Sequence, residues 1–162
     1  SPLVGETAFT YVDVLLLANQ QIGDSFILRA SAKGRWTGDT LPAAERFKLG
    51  GADYGRAFDD AALSGDRGYG AYAEAAFRPF DSGDFRKSEV YTFIDEGTVT
   101  RLERPISDKQ SFSLGSWGAG VRVAWKDKAK LGLEASRVRH APAPLRDGDW
   151  QVALSWSVDF RP

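Results

Sequence analysis

Apolar and polar side chains alternate at every second position through several stretches of this chain, the period a β-strand imposes by pointing successive side chains to opposite faces. From Phe26 to Trp36 the even positions are Phe26, Leu28, Ala30, Ala32, Gly34 and Trp36, and the odd ones include Arg29, Ser31, Lys33 and Arg35. From Tyr69 to Phe77 one face carries Tyr69, Ala71, Ala73, Ala75 and Phe77, the other Gly70, Tyr72, Glu74 and Ala76. Trp117, Ala119, Val121, Val123 and Trp125 form an apolar face with an aromatic at each end, opposite Gly118, Gly120, Arg122 and Ala124. The clearest alternation comes last, with Trp150, Val152, Leu154, Trp156, Val158 and Phe160 set against Gln151, Ala153, Ser155, Ser157 and Asp159. Weaker strands are predicted at Ala8 to Gln20, where Leu15, Leu16 and Leu17 blur the period, at Glu89 to Gly97, and at Lys130 to Val138. The pattern predicts seven strands, with room for an eighth near Glu45 to Leu49.

An apolar face ending in aromatics, backed by a polar face, suits a wall between lipid and a water-filled interior. The predicted fold class is therefore all-β, an antiparallel transmembrane β-barrel. A soluble sandwich also needs one apolar face per strand, but no complementary packing partner is evident for this one. The connectors alternate in length, as barrel turns and loops do. Reading back from a periplasmic C-terminus, residues 139–149 are long and outside, 126–129 short and inside, and 98–109 long and outside. Residues 81–87 then lie inside, the segment at about 37–65 is a long outside loop, and residues 22–24 turn inside. Seven strands leave the N-terminus on the outer side, which an ordinary closed single-chain barrel does not do. Further strands are expected upstream or from another chain.

Composition narrows the alternatives. The 162 residues include 21 basic and 22 acidic side chains, a net charge of -1, so there is no broad basic field for nucleic acid. The richest apolar run, Val12 to Ala18, is interrupted by Asp13 and is far shorter than the ~20 residues of a membrane-spanning helix. A mean hydropathy of -0.33 is compatible with alternating barrel strands. Cysteine is absent, which excludes disulfides and thiolate metal sites. The opening Ser1-Pro2-Leu3-Val4-Gly5 has neither the charged start nor the apolar core of a signal peptide. No catalytic constellation is found. The single His140 has no paired nucleophile at a recognisable spacing, Asp59 and Asp60 read as solvated loop carboxylates, and Gly115-Ser116-Trp117-Gly118 is not a nucleophile elbow. The chain is read as a non-enzyme with no cofactor and no metal.

The long segment carries a more specific signal. It runs through Glu45-Arg46-Phe47-Lys48 into Leu49-Gly50-Gly51, then Gly55-Arg56-Ala57-Phe58, then Ser64-Gly65-Asp66-Arg67-Gly68-Tyr69 and a strand holding Glu74. Downstream, Phe93-Ile94-Asp95-Glu96-Gly97 has the form Phe-x-Asp-x-Gly. Taken singly, the glycines are compatible with turn chemistry and Arg56 and Asp95 with solvated side chains. Together, in this order, they resemble the outer-membrane assembly and secretion superfamily, and within it the two-partner secretion transporters of the haemolysin and haemagglutinin secretion type. The loop tetrad departs from that family's Val-Arg-Gly-Tyr/Phe, keeping Arg56 and Phe58 but placing Gly55 and Ala57 at the other positions.

The resemblance implies that residues 1–162 are the C-terminal half of a barrel of about 16 strands. It implies that the loop folds back into the interior, where Arg56 pairs with Asp95, a contact able to be bidentate. It also implies that a terminal strand containing Trp156 and Phe160, here followed by Arg161 and Pro162, is read by the barrel assembly machinery. The implied function is an outer-membrane pore in the bacterial outer membrane that exports a partner exoprotein, with the loop around Arg56 rearranging to clear the passage. Periplasmic domains and the remaining strands would lie upstream or in another chain. The alternatives are an assembly factor or insertase of the same superfamily, or a small structural or channel barrel.

Overall fold

The computed structural model describes residues 8–145 and 147–160. Among the described residues the strands are β1 (Tyr11–Ile22), β2 (Phe26–Thr37), β3 (Phe47–Leu49), β4 (Leu63–Gly65), β5 (Arg67–Phe77), β6 (Glu89–Arg101), β7 (Gln110–Trp125), β8 (Ala129–His140) and β9 (Trp150–Val158). Seven form one antiparallel sheet in the order β1-β2-β5-β6-β7-β8-β9. The chain is all-β, and each predicted period-two segment is one of these strands. The region near Glu45 to Leu49 contributes only β3, which pairs with β4 in a separate two-stranded ribbon and does not extend the large sheet. That sheet is open, with β1 and β9 as its edges.

Short connectors set the register. Ile22 pairs with Phe26 across one tight turn and Trp125 with Ala129 across another. In the second, Lys126 and Asp127 both have positive φ, of 50° and 57°, and the Lys128 N–H bonds back to the Trp125 carbonyl. This left-handed pair matches the right-handed twist of the strands it joins. Because the side-chain period is two, a fixed register commits every residue to a face. The faces separate cleanly. Phe26, Leu28, Trp36, Tyr69, Phe77, Trp117 and Trp125 are all exposed, while Ile27, Ser31, Gly70, Glu74, Ser116 and Ala124 on the opposite face are buried. An apolar surface of this extent suits a bilayer rather than water.

What buries the polar face is the chain itself. The segment between β2 and β5, residues 38–66, carries β3 and β4 back over the sheet. Its Phe47, Leu49, Tyr54, Phe58 and Leu63 pack with Val99, Leu114 and Val138 of the wall. The approach is close because Gly70 and Gly97, cross-strand partners on β5 and β6, form a floor without side chains. A Cβ built at Gly97 falls 2.7 Å from both Leu49 methyl groups, and one at Gly70 falls 2.6 Å from the Tyr54 ring. A second cluster, Ile27, Ala76, Tyr91 and Phe93, lines the other end of the same face.

Substituting Gly70→Ala therefore places a methyl group where the base of the Tyr54 ring lies. The expected outcome is a loss of about 1–3 kcal/mol in the seating of residues 38–66. Faster limited proteolysis within that segment, with the sheet still intact, checks it.

Candidate functional site on the polar face

The loop reaches its site through a reversal at Gly50 and Gly51, whose φ values of 106° and 96° are open only to glycine at low cost. The Gly50 N–H bonds to the Tyr54 carbonyl at 2.7 Å and the Gly51 N–H to the Phe58 carbonyl at 3.1 Å. This hairpin lays Gly55-Arg56-Ala57-Phe58 across three wall strands. The Arg56 N–H donates to Asp95 Oδ2 on β6 at 3.0 Å, and the Ala57 N–H donates to Ser116 Oγ on β7 at 3.3 Å. The Ser136 hydroxyl on β8 donates to the Arg56 carbonyl at 3.3 Å. Asp95 is only 2% exposed, and its other oxygen accepts from the Ser116 N–H at 3.0 Å and the Ser116 hydroxyl at 2.7 Å. Pairing of β7 with β8 slips by one residue between Gly115 and Ser116, a bulge at the point where the loop is held.

Arg56 and Asp95 thus meet through the main chain, and the guanidinium–carboxylate pair suggested by the sequence is replaced by other partners. The Arg56 guanidinium donates to Glu74 at 3.0 Å and Glu134 at 3.3 Å, and lies 4.3 Å from the Phe93 ring centroid and 5.1 Å from that of Tyr72. The cause is local. Asp95 already accepts three hydrogen bonds from Ser116 and the loop main chain, and the glutamates of the wall draw the Arg56 guanidinium to themselves. The Arg56 Nε–H is buried without a partner among the described residues.

Beyond Arg56 the face holds a layered charge network. Glu74 accepts from Arg29 at 2.8 Å and from Arg122 at 2.8 and 3.0 Å as well as from Arg56. Glu89 accepts from Arg29, Arg122 and Arg78. Glu134 accepts from the Tyr91 hydroxyl at 2.6 Å, and Arg122 covers the Tyr91 ring at 3.6 Å. Four arginines face three glutamates. A buried network of this kind adds little net stability, but removing a glutamate leaves arginines uncompensated. Glu74, Arg29 and Arg122 were visible as polar-face residues in the sequence. Glu89, Glu134 and Tyr91 were not singled out, although Glu134 lies on the polar face of its strand.

Asp66 fastens the root of the loop. Fully buried, it accepts from the Leu41 N–H at 2.7 Å, the Leu102 N–H at 2.8 Å and the Arg104 guanidinium at 2.8 and 3.1 Å, joining the loop to the end of β6 and the following connector. Burial pushes its carboxyl up, but the two N–H groups and Arg104 outweigh that and hold it below the usual aspartate value. The other motif residues take varied places. Leu49 and Phe58 are core, Gly65 lies against the Thr100 backbone, Gly68 lies under Phe47, and Arg67 stands over the Trp36 ring on the apolar side with Tyr69. Trp156 and Phe160 are exposed at 76% and 88% on and just beyond the edge strand, and Arg161 and Pro162 lie outside the described residues. Among the described residues no group of side chains could hold a metal ion.

An exposed apolar face backed by a polar face, in one antiparallel sheet, defines a segment of a membrane β-barrel, with a loop folded onto the polar face. The haemolysin secretion/activation protein ShlB/FhaC/HecB family matches residues 5–123, and the chain belongs to that family. It is a family of outer-membrane β-barrels of two-partner secretion, concerned with protein transport. In fold the chain is similar to CdiB from Acinetobacter baumannii, with a TM-score of 0.66 and 22% sequence identity over 91% of this chain. It spans 26% of that protein's length. No curated protein matches the sequence.

The depressed Asp66 value fixes a pH dependence. A carboxylate whose folded value lies below its unfolded value of about 3.9 stabilises fully above that value and loses the contribution as pH falls through the folded one. Asp66→Asn is expected to cost about 2–3 kcal/mol at pH 7. The Tm gap between native and variant protein in detergent micelles should narrow as pH falls from about 5 to 3.

Proposed function

We propose that this chain is the C-terminal part of a translocation pore in the bacterial outer membrane that exports a partner exoprotein. The apolar face meets lipid, the polar face lines the interior, and residues 38–66 form an extracellular loop seated inside. The exoprotein passes outward unfolded after capture by periplasmic domains, and its folding outside supplies the drive. The barrel assembly machinery inserts the protein, reading the strand that holds Trp156 and Phe160. The observation that carries this reading is the grip of Asp95, Ser116 and Ser136 on the main chain of Arg56 and Ala57, at the centre of the motifs that mark the family.

Magnitudes decide how far the loop moves. If Arg56 withdraws, Glu74 keeps Arg29 and Arg122, and Glu134 keeps the Tyr91 hydroxyl, so ion pairs alone hold the loop weakly. The apolar contacts are larger. Phe47, Leu49, Tyr54, Phe58 and Leu63 are each at most 8% exposed. At about 1.5–3 kcal/mol of gross burial per side chain they are the larger favourable term, set against the conformational entropy of ordering residues 38–66. Packing therefore resists ejection of the loop more than the ion pairs do. The loop stays seated, in place of the larger rearrangement suggested by the sequence. The exoprotein runs beside it along a recess of about 760 Å³ between Asp59 and Asp60 of the loop, Arg78 and Lys87 below β5, and Lys130 and Gln151 of β8 and β9.

The test is made on the full-length protein. It is expected to conduct ions in a planar bilayer and to restore secretion of a single cognate exoprotein to cells lacking it. Accelerated folding of many unrelated barrels, with no secretion restored, would overturn the transporter in favour of an insertase.

A further inference from the structure

One outward-facing feature is not absorbed by transport, and it rests on the reading that the apolar face lies in lipid. Toward the end of the sheet nearest the connector 102–109, the apolar positions stop on three neighbouring strands. Ile94 on β6 is followed by Glu96, Thr98 and Thr100. Trp117 on β7 gives way to Gly115, Ser113 and Ser111. Leu131, Leu133 and Ala135 on β8 give way to Arg137 and then Arg139. The belt ends here and headgroup chemistry begins.

Arg137 sits in the aromatic row that marks this boundary. It pairs in register with Trp117 on one side and Trp150 on the other. The two indoles pack edge to face at 5.9 Å, and the Arg137 guanidinium lies 5.7 Å from the Trp150 ring centroid. A cation on the lipid face costs about 2–4 kcal/mol at the bilayer midplane and only ~0–1 near the interface, so this row fits headgroup depth. Its hydrogen bonding within the chain is meagre. Arg137 donates from Nε to the Gly148 carbonyl at 3.4 Å, with no carboxylate partner among the described residues. At the bulge that follows, Arg139 has among the described residues only a loose 3.6 Å ion pair with Glu96, which also lies 3.8 Å from His140. Cations at the opposite end are better matched: Arg86 and Lys87 pair with Asp127 at 2.9 and 3.1 Å.

Two planar guanidiniums, each with five N–H donors and few acceptors, are suited to phosphate oxygens, which they hold in bidentate fashion. Beside them runs a ladder of hydroxyls, Thr98 to Ser113 at 2.8 Å and Thr100 to Ser111 at 2.9 Å, with the Tyr69 hydroxyl 3.4 Å from Thr98. Such a ladder pairs naturally with sugar hydroxyls. We propose that the outward surface around Arg137 and Arg139 binds the headgroup of a phosphorylated glycolipid in the leaflet at this rim. The phosphate rests on the two arginines, the acyl chains run down past Trp117 and Trp150, and the saccharide faces the Thr98–Ser113 ladder.

Native mass spectrometry of the full-length protein in detergent, titrated with a diphosphorylated glucosamine-based glycolipid, tests this. Bound lipid is expected on the native protein, with affinity reduced roughly tenfold or more in the doubly substituted Arg137→Gln, Arg139→Gln protein, since two charge-assisted contacts are lost. Arg137→Lys, which keeps the charge but not the fork, is expected to fall between them. Unchanged affinity in the double variant overturns the site. Equal binding of the enzymatically dephosphorylated glycolipid overturns the phosphate contact, equal binding of phosphatidylglycerol overturns the saccharide contact, and full competition by millimolar inorganic phosphate overturns the lipid as source. Planar-bilayer conductance of the same preparations separates the two claims. A native protein that neither conducts nor inserts removes the membrane reading itself, whereas a double variant that conducts normally and has lost the glycolipid isolates the site.

Discussion

The Asp95 carboxylate holds two main-chain N–H groups at once, that of Arg56 in the loop and that of Ser116 in the wall, and the interior of this sheet is organised around that double contact. A carboxylate buried to 2% exposure is tolerable only when its oxygens are satisfied, and here Ser116 supplies its hydroxyl as a further donor. The contact acts on backbone, so it fixes where the loop lies without depending on a flexible side chain. Around it, Ser116 and Ser136 hold the neighbouring peptide groups, and the glycine pair Gly70 and Gly97 brings the wall close enough for this to happen.

Charge and apolar packing play different parts. The arginines and glutamates below the loop keep partners whether or not Arg56 is present, so they shape and rigidify the polar face more than they retain the loop. Retention comes from five apolar side chains packed against Val99, Leu114 and Val138. The polar face of the sheet is thus part solid core and part charged wall. The recess beside the loop is bounded by the wall of β8 and β9, where small side chains such as Gly132, Ala153 and Ser155 leave room.

Much of this was legible in the sequence because a two-residue period has only two faces to assign. Phe26 to Trp36 and Trp150 to Phe160 declare their strands without ambiguity, and the long connector declares itself by its glycines. The partners on the polar face were harder. Arg56 lies 18 residues from Glu74 and 78 from Glu134, and both distances are spanned by hairpins whose stagger the sequence does not state. The resemblance implied a side-chain pair of Arg56 with Asp95, whereas the Arg56 main-chain N–H meets Asp95, and a pattern of residue types carries no information on whether side chain or backbone makes a contact. The stretch Glu45 to Leu49 could be read as an eighth strand, but not its pairing with β4 in a separate ribbon, for a related reason. Three residues are too few for a period to show, and their pairing depends on a reversal at Gly50 and Gly51 that lies between them.

The most direct measurement is export through a barrel whose loop is covalently fastened. The sequence contains no cysteine, so Tyr54→Cys with Gly70→Cys introduces a single pair. A Cβ built at Gly70 falls 2.9 Å from that of Tyr54, so the two backbones must part by roughly 1 Å to reach the ~3.8 Å that a disulfide requires, a shift that the volume vacated by the ring accommodates. With the loop seated throughout transport, the oxidised protein secretes its exoprotein at close to the rate of its reduced form. Secretion that stops on oxidation and returns on reduction would contradict a seated loop and show that residues 38–66 must leave the wall for the exoprotein to pass.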